Sequence, residues 1–130
     1  MSKVLPAGAL LGTVAELPNG AAREFALTEG EWPLTAFLVR VGADVHAYLN
    51  RCPHALRQLN FRPDGFLSPD GTLIQCSSHG AQFEKDTGLC VAGPCVGESL
   101  RRLPIELVAG EIRLTADLDT ERLDRNPFLR

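Results

Sequence analysis

Two short motifs constrain this chain more than anything else in it: Cys52-Pro53-His54 and Cys76-Ser77-Ser78-His79, with 21 residues between His54 and Cys76. Only four cysteines and three histidines occur in 130 residues, and four of those seven fall into this pattern. Each motif puts one thiolate and one imidazole on a short loop directly after an expected strand. Two such loops facing one another would offer two sulfurs and two ring nitrogens to a metal centre. Two Cys and two His also suit a tetrahedral structural zinc site, but zinc fingers usually keep ligands of one type together, and here each loop mixes them.

The bulk composition narrows the function further. One domain is the length prior for such a chain, with no room for a second catalytic module. Thirteen basic against sixteen acidic residues give a formal charge of −3, which argues against a nucleic-acid binder that works by neutralising phosphates. The uncharged run from Val4 to Ala15 is broken by Pro6, Gly8 and Gly12 and falls far short of the ~20 residues that span a bilayer, so no transmembrane helix is expected. This run reads instead as a first strand, with Val4, Leu10, Leu11 and Val14 packing, and a weak signal peptide after Lys3 is the alternative. Four cysteines are too few for a disulfide-dense secreted scaffold, and the expected location is the cytoplasm.

Short apolar runs recur between Gly, Pro, Asn and Asp, and no long segment keeps a 3.6-residue stripe, so the expected class is all-β. Strands are predicted at Arg23 to Thr28, Leu34 to Val41, Val45 to Asn50, Thr72 to Gln75, Gln82 to Glu84, Leu103 to Val108 and Glu111 to Thr115. Turns at 42–44, 69–71, 86–88 and 109–110 connect them. The charged tail, residues 116–130, is expected to lie outside the core, with one helical turn around Thr120 to Leu123.

With these residues in place, the sequence resembles the Rieske iron–sulfur family, whose loops read Cys-x-His and Cys-x-x-His. The likeness extends to Asn50-Arg51 before the first cysteine, to Asp70-Gly71-Thr72 leading into the second, to Gly80 and Phe83, to Thr87-Gly88, to Gly93-Pro94, and to Leu103-Pro104 with Gly110. It covers about Glu16 to Thr115. Such a pattern has no reason to accompany zinc. The resemblance implies a small domain of stacked antiparallel sheets with a two-loop cluster-binding subdomain, spanning residues 1–130 as one unit. It also implies one [2Fe–2S] cluster, with Cys52 and Cys76 on one iron and His54 and His79 on the other, and with the electron residing on the histidine-ligated iron.

High-potential members carry an extra cysteine in each loop and hydroxyl donors to the cluster sulfurs. Here those positions read Arg57 and Ser78 for the cysteines, and Ala81 and Phe83 for the donors. Fewer donors leave the reduced cluster less stabilised, which places the expected potential in the lower part of the family range of roughly −150 to +300 mV. That resembles the small Rieske-type ferredoxins. The implied function is a soluble one-electron carrier that takes electrons from a reductase and passes them to an oxygenase or reductase component, with no nucleic-acid or membrane partner. It would be an electron-transfer component rather than a complete enzyme. A redox-sensing module and a tightly bound subunit of a larger oxidoreductase are the alternatives. A terminal oxygenase is excluded because its iron site needs two histidines and a carboxylate, and only His46 remains; His46 itself reads as an edge or surface residue.

Two features fall outside this scheme. Asn60 to Pro69, with Arg62, Pro63, Asp64 and Gly65, is an apparent insertion that reads as a solvated surface loop, with a docking surface as the alternative. Cys90 and Cys95 flank Val91-Ala92-Gly93-Pro94, the segment that would form a third loop over the cluster. They read as a buried pair of inert thiols, with a local disulfide or redox-sensing pair as the other reading.

Overall fold

The run Thr35-Ala36-Phe37-Leu38-Val39 is apolar at every side-chain position after its first residue, and all five residues are buried. A strand with that pattern must be covered on both faces, since successive side chains point to opposite sides. The computed structural model, which describes residues 4–53 and 58–125, places it between two hydrophobic cores.

The strands in chain order are β1 (Val4–Leu5), β2 (Leu10–Thr13), β3 (Ala22–Ala26), β4 (Thr35–Val41), β5 (Asp44–Leu49), β6 (Ile74–Gln75), β7 (Gln82–Phe83), β8 (Cys90–Ala92), β9 (Ile105–Val108), β10 (Glu111–Leu114) and β11 (Leu118–Asp119). One helix, α1 (Thr120–Arg125), follows. All sheet pairings are antiparallel. They form three-stranded sheets in the orders β3-β4-β5, β2-β10-β9 and β6-β7-β8, and a pair β1-β11. The expected all-β class and stacked antiparallel sheets are therefore what the chain adopts.

Register divides β4 between the cores. Phe37 pairs with Tyr48 across β5, and Val39 lies on the same face; Ala36 and Leu38 lie on the other face with Leu49 and Ala47 as their partners. The second face builds an aliphatic base core with Leu17, Leu103, Ile112 and Leu114. Phe37, Val39 and Tyr48 build a second core with Phe66, Ile74, Phe83 and all four cysteines. Phe37 stacks on Phe66, ring centroids 4.2 Å apart and planes within 15°, and meets Tyr48 at 5.8 Å.

Several expectations need correction. The N-terminal run forms two strands rather than one, because a turn with Gly8 at positive φ separates them. Val4 and Leu10 are about half exposed, at 47% and 51%, while Leu11 and Val14 do pack against the base core. The tail does not leave the core: Leu118 and Leu123 are buried in it, and β11 pairs with β1. Its helix runs from Thr120 to Arg125, longer than one turn. In the 60–69 segment, Arg62, Pro63 and Asp64 are exposed as expected, yet Phe66 is wholly buried and the Asp64 carboxylate accepts a 2.7 Å hydrogen bond from the Glu24 amide on β3. This segment is an anchored part of the second core, not merely a solvated loop. Strands β8 and β11 were not expected at all.

Candidate metal centre

Cys52 and Cys76 each stand just past the end of a strand, β5 and β6 respectively, and both are about 1% exposed. His79 is exposed at the tip of the second loop. His54, the fourth expected ligand, and Arg57 lie outside the described residues.

What brings the two loops together is a short chain of hydrogen bonds. Asn50, the last residue before Arg51-Cys52, is buried and reaches across the base of the first loop. Its Oδ1 accepts from the Leu59 amide at 2.9 Å, and its Nδ2 donates to Thr35 Oγ1 and Asn60 Oδ1, both at 2.9 Å. Asn60 in turn donates to the Glu24 carboxylate at 2.8 Å. The Leu59 carbonyl accepts from the Ser77 amide of the second loop at 2.7 Å. Asn50 thus ties the two ends of the first loop to each other, and Leu59 ties them to the loop that carries Cys76 and His79. The second loop is closed by its own bonds, Cys76 amide to Ala81 carbonyl at 2.8 Å and Gly80 amide to Cys76 carbonyl at 3.0 Å.

A third segment lies against this pair. A Cβ on Gly93 would sit 2.7 Å from the Ala81 Cα, so only glycine lets the Gly93-Pro94 turn approach so closely, and its φ of 95° also favours glycine. Gly88 serves similarly at the edge of the second core, where a Cβ would meet the Tyr48 ring at 2.8 Å. The Tyr48 hydroxyl donates to the Lys85 carbonyl at 2.8 Å, and burial pushes it up to about 12.

The side chains lining the second core beside the thiols are apolar. Ala81 and Phe83 are wholly buried. Cys90 and Cys95 are buried alongside as free thiols with sulfurs 3.2 Å apart. Burial, then the hydrogen bond with Cys90 and its charge, then the nearby Cys52, pushes the Cys95 thiol up to about 12, so it stays protonated. His46 sits half-buried on β5, an edge strand of its sheet as expected, with its Nδ1 against the Arg102 guanidinium.

Whether these residues suit an iron–sulfur cluster is decided by their chemistry. Two buried thiols in an apolar surround favour a neutral or delocalised thiolate–metal unit over free thiolates. An imidazole at the exposed tip of the adjoining loop gives a nitrogen donor on the solvent side. Among the described residues, no three of Cys, His, Asp or Glu are grouped around a single point as ligands of one ion. Cys52 stands on one of the two adjoining loops, and Cys76 and His79 on the other. The sequence motifs did not reveal Asn50 and Leu59, whose roles are hydrogen bonds across the loops and leave only the Asn50-Arg51 dipeptide as a signal.

Comparison with known proteins gives one consistent result. Residues 9–109 match the Rieske [2Fe–2S] domain family. The ferredoxin CarAc of Metapseudomonas resinovorans is 31% identical over 88 residues, which cover 68% of this chain and 75% of that protein. Among solved structures, the ferredoxin of carbazole 1,9a-dioxygenase from Nocardioides aromaticivorans IC177 superimposes with a TM-score of 0.63 at 24% identity, covering 85% of this chain and 98% of that one. A chain in a complex of reduced oxygenase and oxidized ferredoxin of carbazole 1,9a-dioxygenase matches with a TM-score of 0.60 at 22% identity, covering 88% and 94%. At such identities these two structures establish the fold. The match over most of the chain and the 31% identity establish more: the chain belongs to the Rieske [2Fe–2S] domain family and binds one [2Fe–2S] cluster.

Proposed function

We propose that this protein is a one-electron carrier in which Cys52 and Cys76 hold one iron of the cluster and His54 and His79 the other. The cluster, when bound, supplies reversible uptake of one electron. The chain's own residues do the rest. Asn50, Leu59 and Ser77 hold the two loops in register, Gly93-Pro94 and the apolar Ala81 and Phe83 keep water from the thiolate side, and His79 stands at the exposed tip where a partner can approach. The absence of hydroxyl side chains at 81 and 83 supports a potential in the lower part of the family range.

The observation that carries this reading is the pairing of buried thiols with an exposed imidazole on two loops bonded through Leu59 and Ser77. Among the described residues, His46 is the only histidine besides His79, and it lies beside Arg102 rather than with a carboxylate-rich iron site. We read the chain as a single working unit that depends on other proteins for chemistry: a reductase that supplies the electron and an oxygenase or reductase component that accepts it. The similarity to ferredoxins of an oxygenase system favours the oxygenase. No described helix is long and apolar enough to cross a membrane, and we place the carrier in the cytoplasm.

The test is anaerobic purification with iron and sulfide analysis, followed by reduction and mixing with an oxygenase component. Two irons and two sulfides per chain, one-electron reduction, and reoxidation by the oxygenase are the expected results. A chain lacking that iron and sulfide content overturns the cluster. A loaded chain that no oxygenase or reductase component reoxidises overturns the carrier role.

A further inference from the structure

Four cysteines are buried in the second core, and the cluster uses two of them in the reading above. Cys90 opens β8, and Cys95 lies five residues on in the turn that packs on Ala81. The backbone holds them opposite each other: the Cys90 amide bonds the Glu98 carbonyl at 2.8 Å, the Glu98 amide bonds the Cys95 carbonyl at 2.9 Å, and the Gly97 amide bonds the Cys90 carbonyl at 3.3 Å. The Cys95 thiol donates to the Cys90 sulfur at 3.2 Å, and the Cys90 thiol donates to the Ala92 carbonyl at 3.2 Å. A disulfide bond is ~2.05 Å long, so closing this pair asks the sulfurs to approach by about 1.2 Å. Packing as two small apolar residues would not require the sulfurs to face each other. The backbone around them is surface: Val91, Pro94, Val96 and Gly97 are exposed, Val96 at 63%, so a local opening of this turn is enough to reach Cys95.

We infer that Cys90 and Cys95 form a dithiol–disulfide site, a two-electron redox pair in the third loop, oxidised and reduced by exchange with low-molecular-weight thiols and disulfides. Opening the turn exposes Cys95 and removes the burial that keeps it protonated; its thiol then loses its proton to solvent, and the thiolate attacks one sulfur of a small disulfide, forming a mixed disulfide and releasing one small thiol. The Cys90 thiolate then attacks the Cys95 sulfur, the internal bond forms, and the second small thiol leaves. Overall the protein gives up two hydrogens, and one small disulfide becomes two thiols. Excess small thiol runs the sequence backwards. The closed form ties the loop that covers Ala81 and the thiolate side of the metal centre. The site stands on sulfur geometry alone and is independent of whether the cluster serves an oxygenase.

The experiment uses the holoprotein, equilibrated anaerobically over a range of ratios of glutathione to glutathione disulfide, then acid-quenched, denatured, alkylated with iodoacetamide and digested with trypsin. Cleavage after Lys85 and Arg101 puts Cys90 and Cys95 on one peptide that contains no other cysteine. The expected result is a switch, across the range, from a doubly alkylated peptide to an unalkylated one lighter by two hydrogens than the free dithiol peptide, reversed by dithiothreitol while the visible spectrum of the cluster persists. Cys95→Ser abolishes the lighter species. A peptide doubly alkylated at every ratio, a mixed disulfide that never closes, or an internal bond found only in protein that has lost its cluster would each overturn the site. The wild-type titration decides the matter even where a variant fails to load.

Discussion

The two cores on either side of β4 are built on different principles. The base core is aliphatic, collects leucines from β4, β5, β10, β11 and α1, and is framed by strands of four to seven residues except for the two-residue pair β1 and β11. The second core is aromatic and sulfur-rich, and its own sheet consists of strands of two or three residues. Ladders this short contribute little by themselves. Its loops are held instead by Asn50, by the Leu59 to Ser77 bond and by the glycine contact on Ala81. The first region is built from buried apolar surface alone, whereas the second holds the proposed ligands Cys52 and Cys76, and on that reading binding of the cluster is part of its folding free energy. The same division assigns function: the rigid half is scaffold, and the half that needs its cofactor is the site.

The strongest way to break this contrast is to remove one of the proposed ligands. Cys76→Ala should abolish stable cluster assembly, and hydrogen exchange should then show β6, β7 and β8 losing protection while β2, β9 and β10 keep theirs. Equal loss in both halves would show that the base does not stand alone.

Neighbouring positions on β4 give the next test. Phe37→Ala removes a ring stacked on Phe66 and should cost ~3–5 kcal/mol, and Leu38→Ala on the opposite face ~2–5 kcal/mol. Chemical denaturation measures both losses. Only the Phe37 variant should also change the visible spectrum or speed loss of the cluster, because only its face meets the cysteines.

Asn50→Ala leaves the Leu59 amide without its side-chain acceptor and should cost ~1–3 kcal/mol. Its signature is faster release of iron to a chelator, with the base sheet's exchange pattern unchanged. The smallest effect belongs to His46. Burial, and then the Arg102 guanidinium, hold its imidazole below the ordinary 6.5. The unfolded chain therefore takes up that proton first as pH falls. The stabilising contribution is complete above 6.5 and is lost as pH drops through 6.5 towards the folded value. His46→Gln should flatten the corresponding slope of Tm between about pH 5.5 and 7.

The way these regions are encoded explains what could be read in advance. The long strands β4 and β5 announce themselves by composition and by the turn at 42–44, and the two Cys/His motifs by their rarity. Strands β8 and β11 carry no readable periodicity because two or three residues hold no period. The tail misleads because its charges dominate its composition, while Leu118 and Leu123, spaced by five, do the packing. Phe66 was hidden likewise among Arg62, Pro63, Asp64 and Gly65, polar or turn-forming residues that read as a surface loop. Asn50 could be seen in the motif, but its partners at 35, 59 and 60 are set only by tertiary structure.

The central claim is a two-iron cluster held by cysteine on one side and histidine on the other, and nitrogen coupling in the electron paramagnetic resonance of the reduced protein tests it most directly. Magnetic coupling to two imidazole nitrogens is the predicted result, with one coupling lost or the signal replaced in His79→Cys. A reduced cluster with no nitrogen coupling, or a protein that holds zinc and gives no signal, would contradict it.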